Sequence, residues 1–384
     1  MEQPVYLNHA ATSNHKFEET IKELCQYLAT NNNLSNNRSF QNIGELELIF
    51  NTRQALANFF HAPDPGHIIF TANATTSLNI VLNGILKSGD HVLTTSVEHN
   101  AVARPLYLLE TKQHISVTHL TCDQNGQLDP KQIESLIRPE TKIMVMTHAS
   151  NVLSTILPVK ECFKLAKAHG IITILDSAQT AGFLPIDMEE MLIDVLVFTG
   201  HKSLMGLSGI GGFALAQDLE TLIDPWMSGG TGSASLSLAQ PKFLPDKFEP
   251  GTLNTLGILS LKSSLGKIVE LGLDKIAAHE RALTARFLTS LDSLPVTILG
   301  SVDPMQKVPV VSITAPHIDA GDLSQRLFEQ HQVITRSGLH CSPLAHQTAG
   351  TINSGAVRFS FGWNTTKDEI DYALEALKQI LLKP

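Results

Sequence analysis

Between residues 65 and 215 the chain alternates short apolar runs, rich in β-branched residues, with stretches of helical period. No other feature narrows its fold as far. GHIIFT (66–71), HVLTTS (91–96), ISVTHL (115–120), KIMVMTHA (142–149), IITILD (171–176), DVLVFTG (194–200) and GIGGFALA (209–216) read as strands. Most are apolar on both faces, which predicts strands buried on both sides. TTSLNIVLNGILKSG (75–89) and PVKECFKLAKAHG (158–170) carry helical patterns between them. The order predicts an α/β fold with a mainly parallel sheet covered by helices on both faces. After residue 255 the pattern changes. Two helical stretches lead to VPVVSIT (308–314), AVRFSFG (356–362) and a final helix near 366–383 opened by the cap-like TTKDE. That reads as a smaller α+β unit. The expected division is a large domain over 15–259 and a discontinuous small domain of 1–14 plus 260–384.

The 384 residues suffice for one large and one small domain. An apolar fraction of 43% and a charged fraction of 17% are those of an ordinary globular chain. A formal net charge of −9 argues against nucleic acid or an anionic membrane as partner. No apolar run reaches the roughly 18 residues that a membrane span needs. MEQPVYLNHAATS has neither the basic start nor the apolar run of a secretory signal. Four cysteines without a CxxC pair give no disulfide framework and suit a reducing compartment, so a cytoplasmic protein is expected. NNNLSNN (31–37) reads as a polar loop.

Two segments carry the most chemistry. ILDSAQTAG (174–182) and VFTGHKSLMG (197–206) place polar residues at the carboxyl ends of apolar strands, where α/β folds bind ligands. Asp176 ends one strand and Lys202 closely follows another, with Thr199 and His201 beside it. A lysine to form a Schiff base and a carboxylate to keep a pyridine nitrogen protonated point to pyridoxal phosphate. An Asp–Lys ion pair with a helix cap accounts for the same residues. RSGLHC (336–341) followed by SPLAH poses a second question, because Gly338 and Pro343 both break a helix around Cys341. That cysteine reads first as a buried spectator, and otherwise as a metal ligand with His340 and His346 or as a nucleophile.

TGHKSLMG, with SAQTAG upstream and EPGTLNT (249–255) downstream, resembles the class V aminotransferases, the fold type I pyridoxal phosphate enzymes. The likeness is greatest to the cysteine desulfurase and selenocysteine lyase branch. It runs from YLNHAATS (6–13) to VRFSFGWNTTKDEID (357–371) through six or seven ordered motifs. It implies that Lys202 holds the cofactor, Asp176 pairs with its ring nitrogen, and Gln179 bonds its phenolic oxygen. His99 in SVEHNAV (96–102) would stack on the ring and pass protons; alone it reads as a helix cap. The phosphate would rest on Ala74 and Thr75 at a helix start, with Thr199 and His201. Thr252 would reach the phosphate of a neighbouring subunit, which implies a homodimer with shared sites. Arg358 and Asn151 would hold the substrate carboxylate, although Arg358 alone reads also as half of a structural ion pair. RSGLHC resembles the short ordered loop of group II desulfurases. Cys341 would take sulfur as a persulfide, flanked by Arg336 and His340, whose charge would favour the thiolate. A short loop of this kind implies an acceptor protein that draws off the sulfur.

The chain departs from that pattern in four places. NHAAT, with Asn8 and His9, stands where aspartate then asparagine is usual, on the substrate side of the pocket. NNRS (36–39) is more polar than expected, Leu207 replaces a proline after Gly206, and LST (153–155) stands where a glycine is common. None removes a core catalytic residue. The resemblance therefore implies a desulfurase that converts L-cysteine to L-alanine. Selenocysteine lyase or another carbon–sulfur lyase is the alternative, and an aminotransferase would leave Cys341 without a role. A bound metal would leave Lys202 and Asp176 unexplained, so none is expected.

Overall fold

The computed structural model describes residues 4–30 and 43–382, so NNNLSNN and NNRS lie outside the described residues. Thirteen strands occur among them. In chain order they are β1 (Val5–Tyr6), β2 (Ile68–Thr71), β3 (His91–Thr95), β4 (Ser116–Leu120), β5 (Thr141–Thr147), β6 (Ile172–Asp176) and β7 (Val195–Thr199). They continue as β8 (Gly211–Leu215), β9 (Thr297–Leu299), β10 (Val310–Thr314), β11 (Val333–Ile334), β12 (Arg336–Gly338) and β13 (Ala356–Ser360). Seven form a central sheet in the order β2-β8-β7-β6-β5-β3-β4. Only β8 runs antiparallel to its neighbours, so the expected mainly parallel sheet is present.

The apolar runs are buried on both faces, as their composition requires. Met144, Met146, Leu175, Leu196 and Phe198 point into one apolar cluster; Ile143, Val145, Ile174, Val195 and Val197 point into another. Helices Ile43–Phe60, Val159–Ala168 and Thr255–Leu271 cover the first face through residues such as Leu56, Phe163 and Leu265. Helices Ala74–Ile85 and Asn100–Gln113 cover the second through Leu78, Val81 and Leu106. Gly211 explains one glycine of GIGG. A Cβ there would stand 2.9 Å from the Asn73 Cα, so only glycine lets the start of helix Ala74–Ile85 rest on β8.

A second sheet, β12-β13-β10-β9, is antiparallel throughout and packs against helices Leu273–Leu291, Ala320–His331 and Lys367–Leu382. Val5 and Leu7 join that core, and β1 pairs with β11. The TTKDE cap forms as a capping box: Glu369 Oε2 accepts from Thr366 N at 2.8 Å, and Thr366 Oγ1 accepts from Glu369 N at 3.2 Å. Helix Thr255–Leu271 packs with the large-sheet core although it begins near the change in sequence pattern; Gly272, at φ 88°, turns the chain into the next helix.

The loop reading of RSGLHC needs two corrections. Arg336–Gly338 is a strand, held by pairing with β13, so the turn is confined to Leu339–Cys341. Pro343 does not interrupt a helix but begins one, Pro343–Thr348, where a missing N–H costs nothing.

Candidate active site

The carboxyl ends of β5, β6 and β7 open onto a cavity of about 280 Å³. Asp176, the last residue of β6, is 3% exposed and accepts from Ala178 N at 2.9 Å. Burial pushes its pKa up, while that N–H and the nearby Lys202 charge pull it down. Lys202 sits in the turn after β7. Burial lowers its pKa to about 8, with Asp176 opposing the shift and Arg358 and Arg336 adding to it. The amine is therefore neutral far more often than an exposed lysine, as a nucleophile must be.

Thr199, the last residue of β7, is buried against the same cavity, and its hydroxyl has no hydrogen-bond partner. Ala74 and Thr75 face it from the first turn of helix Ala74–Ile85, whose Asn73 cap accepts from Thr76 N at 2.9 Å. The N–H groups that open a helix have no partner within it and suit an anion. His201 lies beside them, its Nδ1 3.1 Å from Thr12 Oγ1, and burial lowers its pKa to about 4. Its carbonyl accepts from Ser13 N at 2.8 Å, which ties the amino-terminal motif to the lysine turn.

His99 satisfies its helix-cap reading and also lines the cavity. Its Nδ1 caps helix Asn100–Gln113 by accepting from Ala101 N at 3.0 Å, so the ring proton sits on Nε2, and the ring lines the cavity. Burial, then the charges of Lys202, Arg336 and Arg358, lower its pKa to about 4. Gln179 lines the cavity too and donates to the Ala10 carbonyl at 3.3 Å.

The second sheet supplies the opposite wall. Arg358 and Arg336 lie directly opposite each other on β13 and β12. Like charges in that register repel unless an anion lies between them. Arg358 is fully buried, donating to the Asn151 carbonyl at 3.1 Å and to Asn8 Oδ1 at 3.4 Å, while its Nε has no partner. Burial, reinforced by Arg336, lowers its pKa to about 9. Both partners are neutral, so the departure at Asn8 leaves the guanidinium uncompensated. Asn151 faces the cavity and clamps the cysteine loop, donating to the His340 carbonyl at 2.9 Å and accepting from Ser342 Oγ at 2.5 Å.

Cys341 is exposed at the rim, its Sγ 3.4 Å from Arg336 Nη2. His340 and Cys341 have φ of 53° and 58°, left-handed values that cost non-glycine residues roughly 1–3 kcal/mol each. The Cys341 carbonyl accepts from Asn100 N at 2.8 Å, so the His99-capped helix also holds the loop. Burial pushes the Cys122 and Cys162 thiols up to about 11 and about 12, which leaves them inert. The spectator reading of Cys341 fails on its exposure. The metal reading loses its ligands, because both ring nitrogens of His340 are engaged, with His346 Nε2 at 3.3 Å and the Arg336 carbonyl at 3.1 Å. Thr252 is not brought together with the others. It is exposed beside a separate cavity of about 240 Å³, lined also by Thr71 and Thr76.

The class-V aminotransferase family model matches residues 5–373. The chain belongs to the class-V aminotransferase family. It is 32% identical over 335 residues to a probable cysteine desulfurase of Pyrococcus abyssi, covering 86% of this chain and 82% of that protein. A cysteine desulfurase of Pectobacterium atrosepticum is 30% identical, with 85% and 81% covered. The apo structure of a cysteine desulfurase from Thermococcus onnurineus NA1 superposes with a TM-score of 0.92 at 29% identity, covering 99% of this chain and 95% of that one.

Pyridoxal phosphate is the cofactor of this member of the class-V aminotransferase family, and the cavity fits it. The orphaned Thr199 hydroxyl and the helix start at Ala74 match a phosphate. A buried carboxylate at Asp176 matches a protonated ring nitrogen, and a neutral-prone amine at Lys202 matches an aldehyde. Two residues of the neighbourhood escaped sequence reasoning. Glu98 Oε1 accepts from Thr95 Oγ1 at 2.6 Å and from Thr147 N at 2.9 Å, joining the ends of β3 and β5, and burial raises its pKa to about 8. His148 bonds Thr180 at 3.0 Å behind Asp176. A charged or imidazole side chain at the carboxyl end of an apolar strand is the signal that marked both.

Proposed function

We propose that the chain is a pyridoxal phosphate-dependent cysteine desulfurase, which converts L-cysteine to L-alanine and passes the sulfur to Cys341. One observation carries the reading. A single cavity joins Lys202 and Asp176 to an uncompensated arginine pair, with a cysteine thiol against the outer arginine. The similarity to cysteine desulfurases supports the same reading.

Arg358 binds the substrate carboxylate as an ion pair, its free Nε supplying a further donor. Lys202 would hold the cofactor, and its amine, once free, takes the Cα proton as a base. When bound, the cofactor stores the electron pair that this deprotonation leaves on carbon. Asp176 stabilises the positive charge on the ring nitrogen that makes such storage possible. Cys341 Sγ then attacks the substrate sulfur: an S–S bond forms, the Cβ–S bond breaks, and its electron pair stays with carbon. Cβ takes a proton equivalent to the one the Cys341 thiol gives up, and Lys202 returns its proton to Cα, which completes alanine. Arg336 orients the Cys341 sulfur at 3.4 Å, and His99 stays neutral, with Nε2–H free to exchange a proton. A thiol acceptor must discharge the Cys341 persulfide. The clamped, exposed loop supports a partner protein that comes to the sulfur, since the loop cannot carry it far.

The working unit is proposed as a cytoplasmic homodimer in which Thr252 reaches the neighbouring cofactor phosphate. Its exposure outside its own cavity supports this. The division into 15–259 against 1–14 plus 260–384 is likewise proposed.

The test is an assay of purified yellow protein for alanine and sulfide from L-cysteine, with and without a thiol reductant. Cys341→Ala should lose sulfide release and keep the cofactor absorbance. Full sulfide production by that variant removes the persulfide role. Turnover of selenocysteine that does not need Cys341 would move the chain to the lyases.

A further inference from the structure

His346 has no part in the chemistry above, yet it is fully buried and its ring lies nearly parallel to that of His340, with centroids 5.6 Å apart and planes 15° apart. Three contacts form a line through the pair. Thr351 Oγ1 lies 2.8 Å from His346 Nδ1, His346 Nε2 lies 3.3 Å from His340 Nδ1, and His340 Nε2 lies 3.1 Å from the Arg336 carbonyl.

One end of this line dictates the position of every proton. A carbonyl only accepts, so His340 Nε2 must carry a hydrogen and donate. Burial holds His340 neutral, with a pKa near about 3, so its Nδ1 is an acceptor. His346, lowered by burial to about 4, must therefore donate from Nε2. Its Nδ1 then accepts from the Thr351 hydroxyl. Each ring has one tautomer that satisfies all three contacts.

The line ends on the strained part of the loop. Asn151, Ser342 and Asn100 grip the loop through the carbonyls of His340 and Cys341 and the Ser342 hydroxyl. The His346 line grips the His340 ring and returns it to the backbone of Arg336, the residue that touches Cys341 Sγ.

We infer that His346 and Thr351 are positioning residues for the Cys341 thiol: their relay locks the His340 tautomer and ring, which holds residues 340 and 341 in the left-handed conformation beside Arg336. The inference rests on Cys341 as the sulfur acceptor. It does not touch the groups that bind the cofactor or the substrate carboxylate.

The test uses cofactor-loaded protein, with steady-state kinetics on L-cysteine and amide hydrogen exchange across residues 336–346. His346→Leu should lower kcat by about tenfold or more, with KM changed less than about twofold, because Arg358 is untouched. Exchange in that segment should rise by about tenfold or more. His346→Gln can accept from Thr351 and donate to His340, and should restore both readouts to within about threefold. Thr351→Val frees His346 to move its proton to Nδ1 and should give a smaller loss of the same kind. Unchanged kcat and exchange in His346→Leu, or a Gln variant as impaired as Leu, overturns the inference. Should the Leu variant fail to fold, Thr351→Val decides, and wild-type values in it overturn the inference. Sulfide release by Cys341→Ala remains a separate readout, so a failed persulfide role and a failed positioning role are distinguishable.

Discussion

Arg358→Met should separate catalytic from structural roles by moving stability and activity in opposite directions. The guanidinium is fully buried, faces Arg336 in register, and bonds only a carbonyl and an amide oxygen. Burial lowers its pKa far below the usual guanidinium range, to about 9. At 1.36 kcal/mol per unit, keeping it charged at neutral pH costs on the order of 5 kcal/mol. The unfolded chain binds this proton more tightly than the folded one. The cost is therefore full below about pH 9 and fades as pH rises toward 12.5. Methionine removes that cost but strands the buried Asn151 carbonyl and the half-buried Asn8 amide oxygen, at about 1–3 kcal/mol each. Cofactor-free Arg358→Met should then lie between about 1 kcal/mol below the wild type and about 3 kcal/mol above it in urea at pH 7. Losing the paired charge on the substrate carboxylate costs about 3–4 kcal/mol, which lowers kcat/KM by a factor of about a few hundred to a thousand. The reasoning is refuted if the variant loses more than about 3 kcal/mol of stability while kcat/KM stays within about tenfold. That result would make Arg358 a structural residue.

Asp176→Asn keeps the shape and removes the anion, so kcat on L-cysteine should fall by about 10²–10³ with the fold intact by circular dichroism. A loss below tenfold would count against its pairing with the ring nitrogen. Glu280, 2% exposed with one oxygen unpartnered, has its pKa raised by burial from 4.5 to about 8. Its neutral form stabilises the fold fully below pH 4.5, and that contribution is lost as pH rises through about 8. Glu280→Gln should therefore gain up to about 4 kcal/mol on the wild type between pH 5 and pH 8 in urea unfolding. An equal difference at both pH values contradicts this. Arg53 and Glu249 form a buried pair at 2.6 Å, and Glu249 also accepts from Phe70 N at 2.6 Å, which anchors EPGTLNT to β2. Arg53→Met should cost about 3–5 kcal/mol, and adding Glu249→Leu should recover part of it. A thermal scan that finds the single variant as stable as the wild type would show the pair to be inert.

Much of the site was legible because strand ends announce themselves. Asp176, Thr199 and Lys202 lie at or just past the ends of apolar runs, and in a parallel sheet those ends share one edge. The opposition of Arg336 and Arg358 was not legible. It depends on the pairing of β12 with β13, and β12 was hidden within a segment that Gly338 and Pro343 marked as loop. The left-handed pair at His340 and Cys341 was equally hidden, since positive φ is uncommon for any residue but glycine, although histidine adopts it more readily than cysteine. Tertiary bonds from Asn151 and Asn100 impose it.

Local chemistry by itself determined the layered α/β architecture, the position of the lysine and aspartate, and the presence of a cysteine in a turn. Periodicity and strand-end polarity are properties of neighbouring residues, so they survive in one dimension. Tertiary structure alone decided that Arg358 has no countercharge among the described residues, that Cys341 stands against Arg336, that His346 grips His340, and that Thr252 lines a separate cavity. Charge balance and thiol position depend on groups brought together from segments as far apart as Asn8 and Arg358. Burial then turns those encounters into shifted pKa values, because only a low-dielectric interior makes an unpaired charge costly.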